Sequence, residues 1–405
     1  MVEIATLVLL FSFQILVFTE QKPHYLIVVF ICILLLLVNL NGYFNYLKFL
    51  YLFPLLISVF YYLAQQKPDT PFILSILNYV IIPLVFLNHH FQKFDFTRTM
   101  KLFQGFTVFC FFGLLLQVVG IEAPFLDLEL AITNDVVKER YGSFAGSTLV
   151  LGFYTSISSI YTYYDFIYHK NKSLKNIVLL LISLVSLFLA QSRRYYFFTL
   201  VVMFLIYFLG TNKDFKLFTI INKNKWVILL IVTFIIVSFL LQDKVFLFMR
   251  IYSTFDFAND ASNVLRAIKW LEAIQQFIDH FWFGAGLGDM GAVGKNLQEE
   301  DVYEIAVAES YYLKVFVEGG IFFGTAFVCM MIFLLKKAFK LIKDNSTKSF
   351  AAYIFIFFFV DCFMSMTMEV VLGSILFWLS VSIISIDSLT ENYSNKNLPL
   401  LGNTH

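Results

Sequence analysis

Apolar runs long enough to cross a bilayer recur along almost the whole chain. A helix needs about 20 mostly apolar residues to span the hydrocarbon core, within a range of roughly 17–25. Such runs fall at 4–19, 24–40, 44–64, 71–88, 102–120, 147–167, 174–191, 195–210, 226–242, 311–335, 347–365 and 369–386. Inside a bilayer every backbone N–H and C=O must find its partner within the protein, and a helix satisfies them within one segment. The expected fold is an all-α integral membrane protein of about 12 transmembrane helices. It is expected to form a single polytopic membrane domain over residues 1–405. The chain is 60% apolar and 14% charged, whereas soluble domains carry roughly 25% charged residues. A net charge of +1 gives no electrostatic case for nucleic acid as a partner. The first run follows Met1-Val2-Glu3 without a basic segment or small-residue cleavage site, so it reads as a retained span.

Basic residues in short loops set the sidedness. With the N-terminus inside, the cytoplasmic loops hold Lys93, Arg98 and Lys101; Lys170, Lys172 and Lys175; Lys213, Lys216, Lys223 and Lys225; and a last group from Lys336 to Lys348. The short outer loops hold only Lys22, Lys67, Arg193 and Arg194. Both termini are therefore expected in the cytoplasm. Two outer segments, 121–146 and 243–310, exceed the length of ordinary connections. The second contains an amphipathic stretch from Ser262 to Phe281. Val264, Leu265, Ile268, Leu271, Ile274, Phe277 and Ile278 mark its apolar stripe, and Asp260, Ser262 and Asn263 are candidate N-caps. The spacing predicts a short helix lying on the bundle. No internal repeat is visible, and the long outer segments sit at unmatched positions in the two halves. Both features argue against a duplicated transporter.

Five arginines fall on the outer side: Arg140, Arg193, Arg194, Arg250 and Arg266. Lysine in cytoplasmic loops needs only topology to explain it. Arginine adds a planar, always-charged fork that grips phosphate oxygens in pairs. Arg193 and Arg194 are wedged between two apolar spans, where an ionisable residue defaults to a functional hypothesis. The bland alternative is that they snorkel to headgroups. Arg266, Lys269 and Trp270 share one helical face, which could also be simply a solvated face. Gly284, Gly286 and Gly288 permit a tight turn or a close backbone approach. They follow no strand of a βαβ unit, so a dinucleotide site is not indicated. Glu309, at the outer mouth of the 311–335 span, is a candidate general base, or one loop acid among Glu299, Glu300, Asp301 and Glu304. There is no phosphate-binding loop and no Asp-x-Asp, and the histidines do not cluster. Cys32, Cys110, Cys329 and Cys362 lie inside apolar runs without ligand spacing. No metal and no cofactor are expected.

Taken in order, these elements resemble the bacterial O-antigen polymerase (Wzy-type) and O-antigen ligase superfamily. The resemblance rests on Arg140-Tyr-Gly-Ser-Phe-Ala-Gly-Ser, on Gln191-Ser192-Arg193-Arg194, on Arg266-Ala-Ile-Lys-Trp270 followed by Phe283-Gly-Ala-Gly-Leu-Gly288, and on Glu309-Ser-Tyr311-Tyr-Leu with Glu318-Gly-Gly-Ile321. It covers roughly 136–330 directly. The chain departs from it at Trp282-Phe283, where members often place proline, and at Glu309-Ser310, where ligases typically have His-Asn. The second departure favours the polymerase branch.

The resemblance implies a glycosyltransferase type C-like fold in the bacterial inner membrane, acting at the periplasmic face on undecaprenyl-diphosphate-linked oligosaccharide. The product would be a surface polysaccharide: O-antigen, capsule or exopolysaccharide. Arg193, Arg266 and Glu309 would be catalytic. Arg140, Arg194, Arg250, Lys269, Trp270, Gly284, Gly286, Gly288 and Tyr311 would bind diphosphate or glycan. Membrane lipid and a polysaccharide chain-length regulator are the implied partners. The alternatives are an O-antigen ligase, which transfers glycan to lipid A core, and a lipid-linked oligosaccharide flippase.

Overall fold

The structure is a computed structural model that describes residues 6, 10, 46–65, 72, 75–88, 96–124, 126–133, 136–211, 261–290, 309–343 and 348–385. The expected spans 24–40 and 226–242, nearly all of 4–19, and Arg250 lie outside the described residues.

The described helices are α1 (Tyr46–Gln65), a π turn (Leu77–Ile81) leading into α2 (Ile82–Asn88), α3 (Phe96–Val118), α4 (Thr148–Tyr168), α5 (Leu174–Leu189), α6 (Arg193–Thr211), α7 (Ala261–Asp279), α8 (Tyr311–Lys343) and α9 (Ser349–Asp361). A short 3₁₀ turn (Thr367–Glu369) then precedes α10 (Val371–Ser385). Each expected span within the described residues falls on one of these helical segments. Helices α1, α3, α6 and α8 are long and apolar enough to cross a membrane, and Leu77–Leu87, α5, α9 and α10 are shorter apolar helices. The full count of spans rests on the sequence.

The core is largely apolar, but apolar side chains also cover much of the outer surface, as expected when the solvent is lipid. On α1, Phe49, Phe53, Leu56, Phe60 and Leu63 form an exposed stripe at helical spacing. Buried hydroxyls and amides instead tie helices together. Ser158 and Ser183 join α4 to α5 at 2.9 Å, Gln104 Nε2 donates to Thr162 Oγ1 at 2.7 Å between α3 and α4, and Tyr164 pairs with Ser349 at 2.8 Å between α4 and α9. Lipid tails offer no hydrophobic incentive for helices to associate, so close packing and such polar contacts must supply it.

Two expectations need correction. The outer segment 121–146, for which no secondary structure was expected, adds a small β element to the helical fold. It forms an antiparallel hairpin of β1 (Asp127–Thr133) and β2 (Val136–Ser143), with Leu128 opposite Tyr141 and Glu129 opposite Arg140. The signal is local: Leu128, Leu130 and Ile132 alternate with Glu129, Ala131 and Thr133 ahead of Asn134-Asp135, a turn-forming pair.

The second correction concerns α7. It occupies the expected position, but most of its apolar stripe does not face the bundle. Val264, Leu265, Ile268, Leu271, Ile274 and Ile278 are exposed. Small Ala273 makes the close contact instead, packing with Val317 and Met290 and flanked by Phe277 and Leu313. Ser262 and Asn263 lie inside its first turn rather than capping it, and Asp260 is outside the described residues.

Helices α4 and α6 meet at Gly152, where an added Cβ would sit 2.6 Å from the Tyr195 ring and 3.0 Å from Ser192 Cβ. Gly152→Val should therefore lower the melting temperature in detergent, by an overpacking cost of about 1–3 kcal/mol. Gly105→Ala, with nothing within 4 Å of its Cβ position, should leave it unchanged.

Candidate functional site

The site is organised around a break in α8. Gly320 sits at φ 68°, ψ −172°, which interrupts the helix and orphans the backbone groups around it. The glycine-rich turn after α7 takes up most of them. Ala285 N–H donates to Val317 O at 2.8 Å, Gly286 N–H to Glu318 O at 3.3 Å, and Ile321 N–H to Phe281 O at 2.8 Å. Helix α1 supplies the last piece, with Ser58 Oγ donating to Gly319 O at 2.7 Å. The approach is too close for side chains. A Cβ on Gly284 would collide with Glu318 O, and one on Gly320 with Trp282 O. Both glycines also have positive φ, 82° and 68°.

The Glu318 side chain fastens the same turn from below. Its Oε1 accepts from Gly288 N–H at 3.1 Å and Met290 N–H at 3.2 Å, and pairs with Lys314 Nζ at 2.9 Å. Lys314 also contacts Glu369 in the 3₁₀ turn. Lys314 and Glu318 are 2% and 0% exposed, so these charges are balanced inside the protein rather than by water. Asn78 Nδ2 donates to Glu369 O at 3.2 Å, and Lys314 lies 5.8 Å from the centroid of the Tyr79 ring. The π turn, α8, the glycine turn and the α9–α10 connection are thereby held as one unit.

Beside this unit lies a more open group of charges at the start of α8. Arg266 Nε, on α7, stands 3.7 Å from Glu309 Oε2, and both side chains are about 30% exposed. That spacing is longer than a hydrogen bond. Glu309 adopts φ 50°, unusual for a residue with a side chain. Arg194, at the start of α6, interacts electrostatically with both Glu309 and Asp361. Its guanidinium lies 4.9 Å over the Tyr195 ring. Tyr195 in turn bonds Thr367 at 2.8 Å, and Thr367 bonds Ser365 at 2.7 Å. Among the described residues, the buried Trp270 Nε1–H, one turn along from Arg266, finds no acceptor.

The structure thus brings Arg266 and Glu309 together at the start of α8, with Arg194 in electrostatic reach of the same carboxylate and Trp270 on the same face of α7 as Arg266. Arg193 is half-buried at the first position of α6. Arg140 is placed apart on β2, opposite Glu129. Tyr311 is 2% exposed and packs on Phe327 and Tyr79, while its N–H donates to Cys362 O at 2.9 Å. That makes it a core residue that positions the start of α8. The N–H groups of Gly284, Gly286 and Gly288 are all spent inside the protein, on His280, Glu318 O and Glu318 Oε1, so the glycines shape the turn rather than present donors to a ligand. Lys314 and Glu369 were not singled out from the sequence. The signal was present: both are ionisable residues in or beside apolar spans, and Lys314 is spaced i, i+4 from Glu318.

Residues 178–329 match the family model described as O-antigen ligase. Over that stretch the chain is similar to the O-antigen ligase and polymerase superfamily. The matched stretch runs from α5 through α6, α7, the glycine turn and the break in α8, and so contains Arg194, Arg266, Glu309, Lys314 and Glu318. It supports glycan processing by a multi-pass membrane protein and is common ground for ligase and polymerase. No individually curated protein matches the chain.

Removing Lys314 would leave two buried carboxylates without their counter-ion. Lys314→Met should cost about 3–5 kcal/mol, read as a large drop in detergent melting temperature. The double change Lys314→Met with Glu318→Gln should recover part of that loss. Gly320→Ala should free the glycine turn, detected as faster proteolysis between Phe281 and Met290.

Proposed function

We propose that this protein polymerises undecaprenyl-diphosphate-linked oligosaccharide repeat units into a surface polysaccharide at the periplasmic face of the bacterial inner membrane. The whole chain, 1–405, acts as one polytopic unit with both termini in the cytoplasm and about 12 spans. The observation that carries this reading is the Arg266–Glu309 pair at 3.7 Å, with Arg194 in electrostatic reach of the same carboxylate. It lies within the stretch that matches the O-antigen ligase family.

The reaction needs little more than that group. The acceptor sugar hydroxyl attacks the anomeric carbon of the growing chain, forming the new C–O bond. The bond from that carbon to the lipid diphosphate breaks, and its electron pair leaves with the diphosphate. The hydroxyl proton passes to the Glu309 carboxylate. Negative charge grows on the leaving group, and fixed guanidinium donors stabilise growing charge most when they are already in place. Arg266 and Arg194 take that role, with Arg193 at the rim. Arg140 and Arg250 hold the second lipid-linked substrate. The loose Arg266–Glu309 pair suits this use, because an incoming diphosphate can replace Glu309 on the guanidinium and leave the carboxylate to the acceptor. The Trp270 N–H is a spare donor for a glycan or phosphate oxygen. A chain-length regulator is the expected protein partner.

The ligase reading has one specific observation in its favour, the description of the matching family. Against it stands Glu309-Ser310 at the position where ligases typically place His-Asn.

The glycans of deletion cells, resolved by gel, separate the two. A polymerase defect leaves single repeat units on the carrier. A ligase defect leaves long chains on the carrier that never reach lipid A core. Arg266→Ala and Arg194→Ala should each restore no long glycan while inserting normally, since loss of one such donor lowers rate by about 10²–10³. Full-length product from both variants would remove the diphosphate clamp from the mechanism.

A further inference from the structure

Helix α7 has three faces rather than two. At about 100° per residue, Asn263, Arg266, Trp270, Ala273 and Phe277 fall in one arc of about 80°. This is the arc that meets α8, with Ala273 fully buried. Ile274, Ile278, Leu271 and Val264 fall in a second arc of about 80°. These side chains are exposed, Leu271 at 66% and Ile278 at 57%. Glu272, Gln275, Asp279, Gln276 and Lys269 occupy the remainder, and Gln275 Nε2 donates to Asp279 Oδ1 at 3.1 Å. Two exposed aliphatic side chains also fall in that polar arc, Ile268 between Gln275 and Asp279 and Leu265 between Glu272 and Gln276. A helix meant for water alone has no use for the second arc, and one that crosses a membrane would not carry the third.

The exposed apolar arc is continuous with the surface that the spans present to lipid. Beyond Ile278 come exposed Phe281 and Trp282. Trp282 lies 5.9 Å from exposed Phe322 on α8, Phe322 lies 5.9 Å from Phe283, and Phe283 stacks at 4.5 Å on Tyr61 of α1. Tyr61 adjoins the Phe49–Leu63 stripe of that spanning helix. Tryptophan and tyrosine, here Trp282 and Tyr61, gather where hydrocarbon gives way to headgroups.

We propose that α7 lies in the plane of the outer bilayer surface, with Leu271, Ile274, Ile278 and Val264 immersed among acyl chains. Its polar arc faces water, and its third arc is held by α8. This placement fixes Arg266 at the depth of lipid headgroups, where a lipid-borne diphosphate would present itself. It stands on the three faces of the helix and does not depend on which glycosyl transfer the site performs.

Site-directed spin labelling tests it without any assay of activity. Single changes Leu271→Cys, Ile274→Cys, Ile278→Cys, Glu272→Cys and Asp279→Cys are made in the full chain carrying Cys329→Ser, with the parent as labelling background. The labelled proteins are reconstituted in phosphatidylethanolamine–phosphatidylglycerol vesicles. Labels at 271, 274 and 278 should collide several-fold more with oxygen than with a neutral nickel chelate, and labels at 272 and 279 should show the reverse. Strong nickel collisions at 271 and 274 would put the arc in water and overturn the proposal. Suppression of both collision rates there would mean that protein covers the arc, a second copy or another segment of this chain, and would equally overturn it.

Discussion

The break in α8 at Gly320 is the feature on which the rest of the site depends. A membrane-depth helix can be interrupted only where other parts of the protein satisfy the freed backbone groups. Here the glycine turn, Ser58 of α1 and the Glu318 side chain share that task. The consequence is mechanical. A segment that follows α7 in sequence becomes part of the packing of α8, so α7 and its Arg266 are held against the bundle. Without the break there would be no seat for the turn. Without the glycines, the carbonyls of Trp282 and Glu318 could not come so close to the opposing backbone.

The two groups of charges near the break differ in kind. Lys314, Glu318 and Glu369 are almost fully buried, closely paired, and bonded to backbone on several sides. Such a network costs desolvation, and its partners cannot be removed singly. It specifies which elements meet, and a substrate could not enter it without dismantling the clasp. Arg266 and Glu309 are partly exposed and too far apart for a hydrogen bond. That pair holds little stability and can be rearranged by a charged ligand. The first network fixes where the second pair stands.

Much of this was legible in the sequence. Within the described residues the apolar runs fall on helices, because helix length in a bilayer is set by thickness rather than by tertiary detail. The position of α7 followed from helical spacing, and Arg266 with Glu309 from their types and sidedness. Three things were not legible. The hairpin at 127–143 lies in an outer segment whose length alone signalled more than a turn, and its alternation is only a few residues long. The rotation of α7 was unreadable, because a periodic stripe shows that one face is apolar but not whether protein or lipid covers it. In a membrane protein the two coverings are equally apolar. The role of the glycines was half legible: their spacing signalled a close approach, but not that the approaching partner was the chain's own α8.

That last point bears on how the mouth can work. If the glycine turn cradled a phosphate, its N–H groups would have to be available, and they are committed to Val317 and Glu318. In the proposed reaction, the positive charge facing the diphosphate must then come from side chains. Arg194 arrives on α6, Arg266 on α7, and Glu309 at the start of α8. Three elements far apart in sequence each contribute one group, and no single loop carries the chemistry. The electrostatics of the mouth therefore depend on the relative placement of three helices. The buried Lys314–Glu318–Glu369 network and the clasp at Gly320 hold two of them, α7 and α8, in register, and the Tyr195–Thr367 bond ties α6 to the same 3₁₀ turn that bears Glu369.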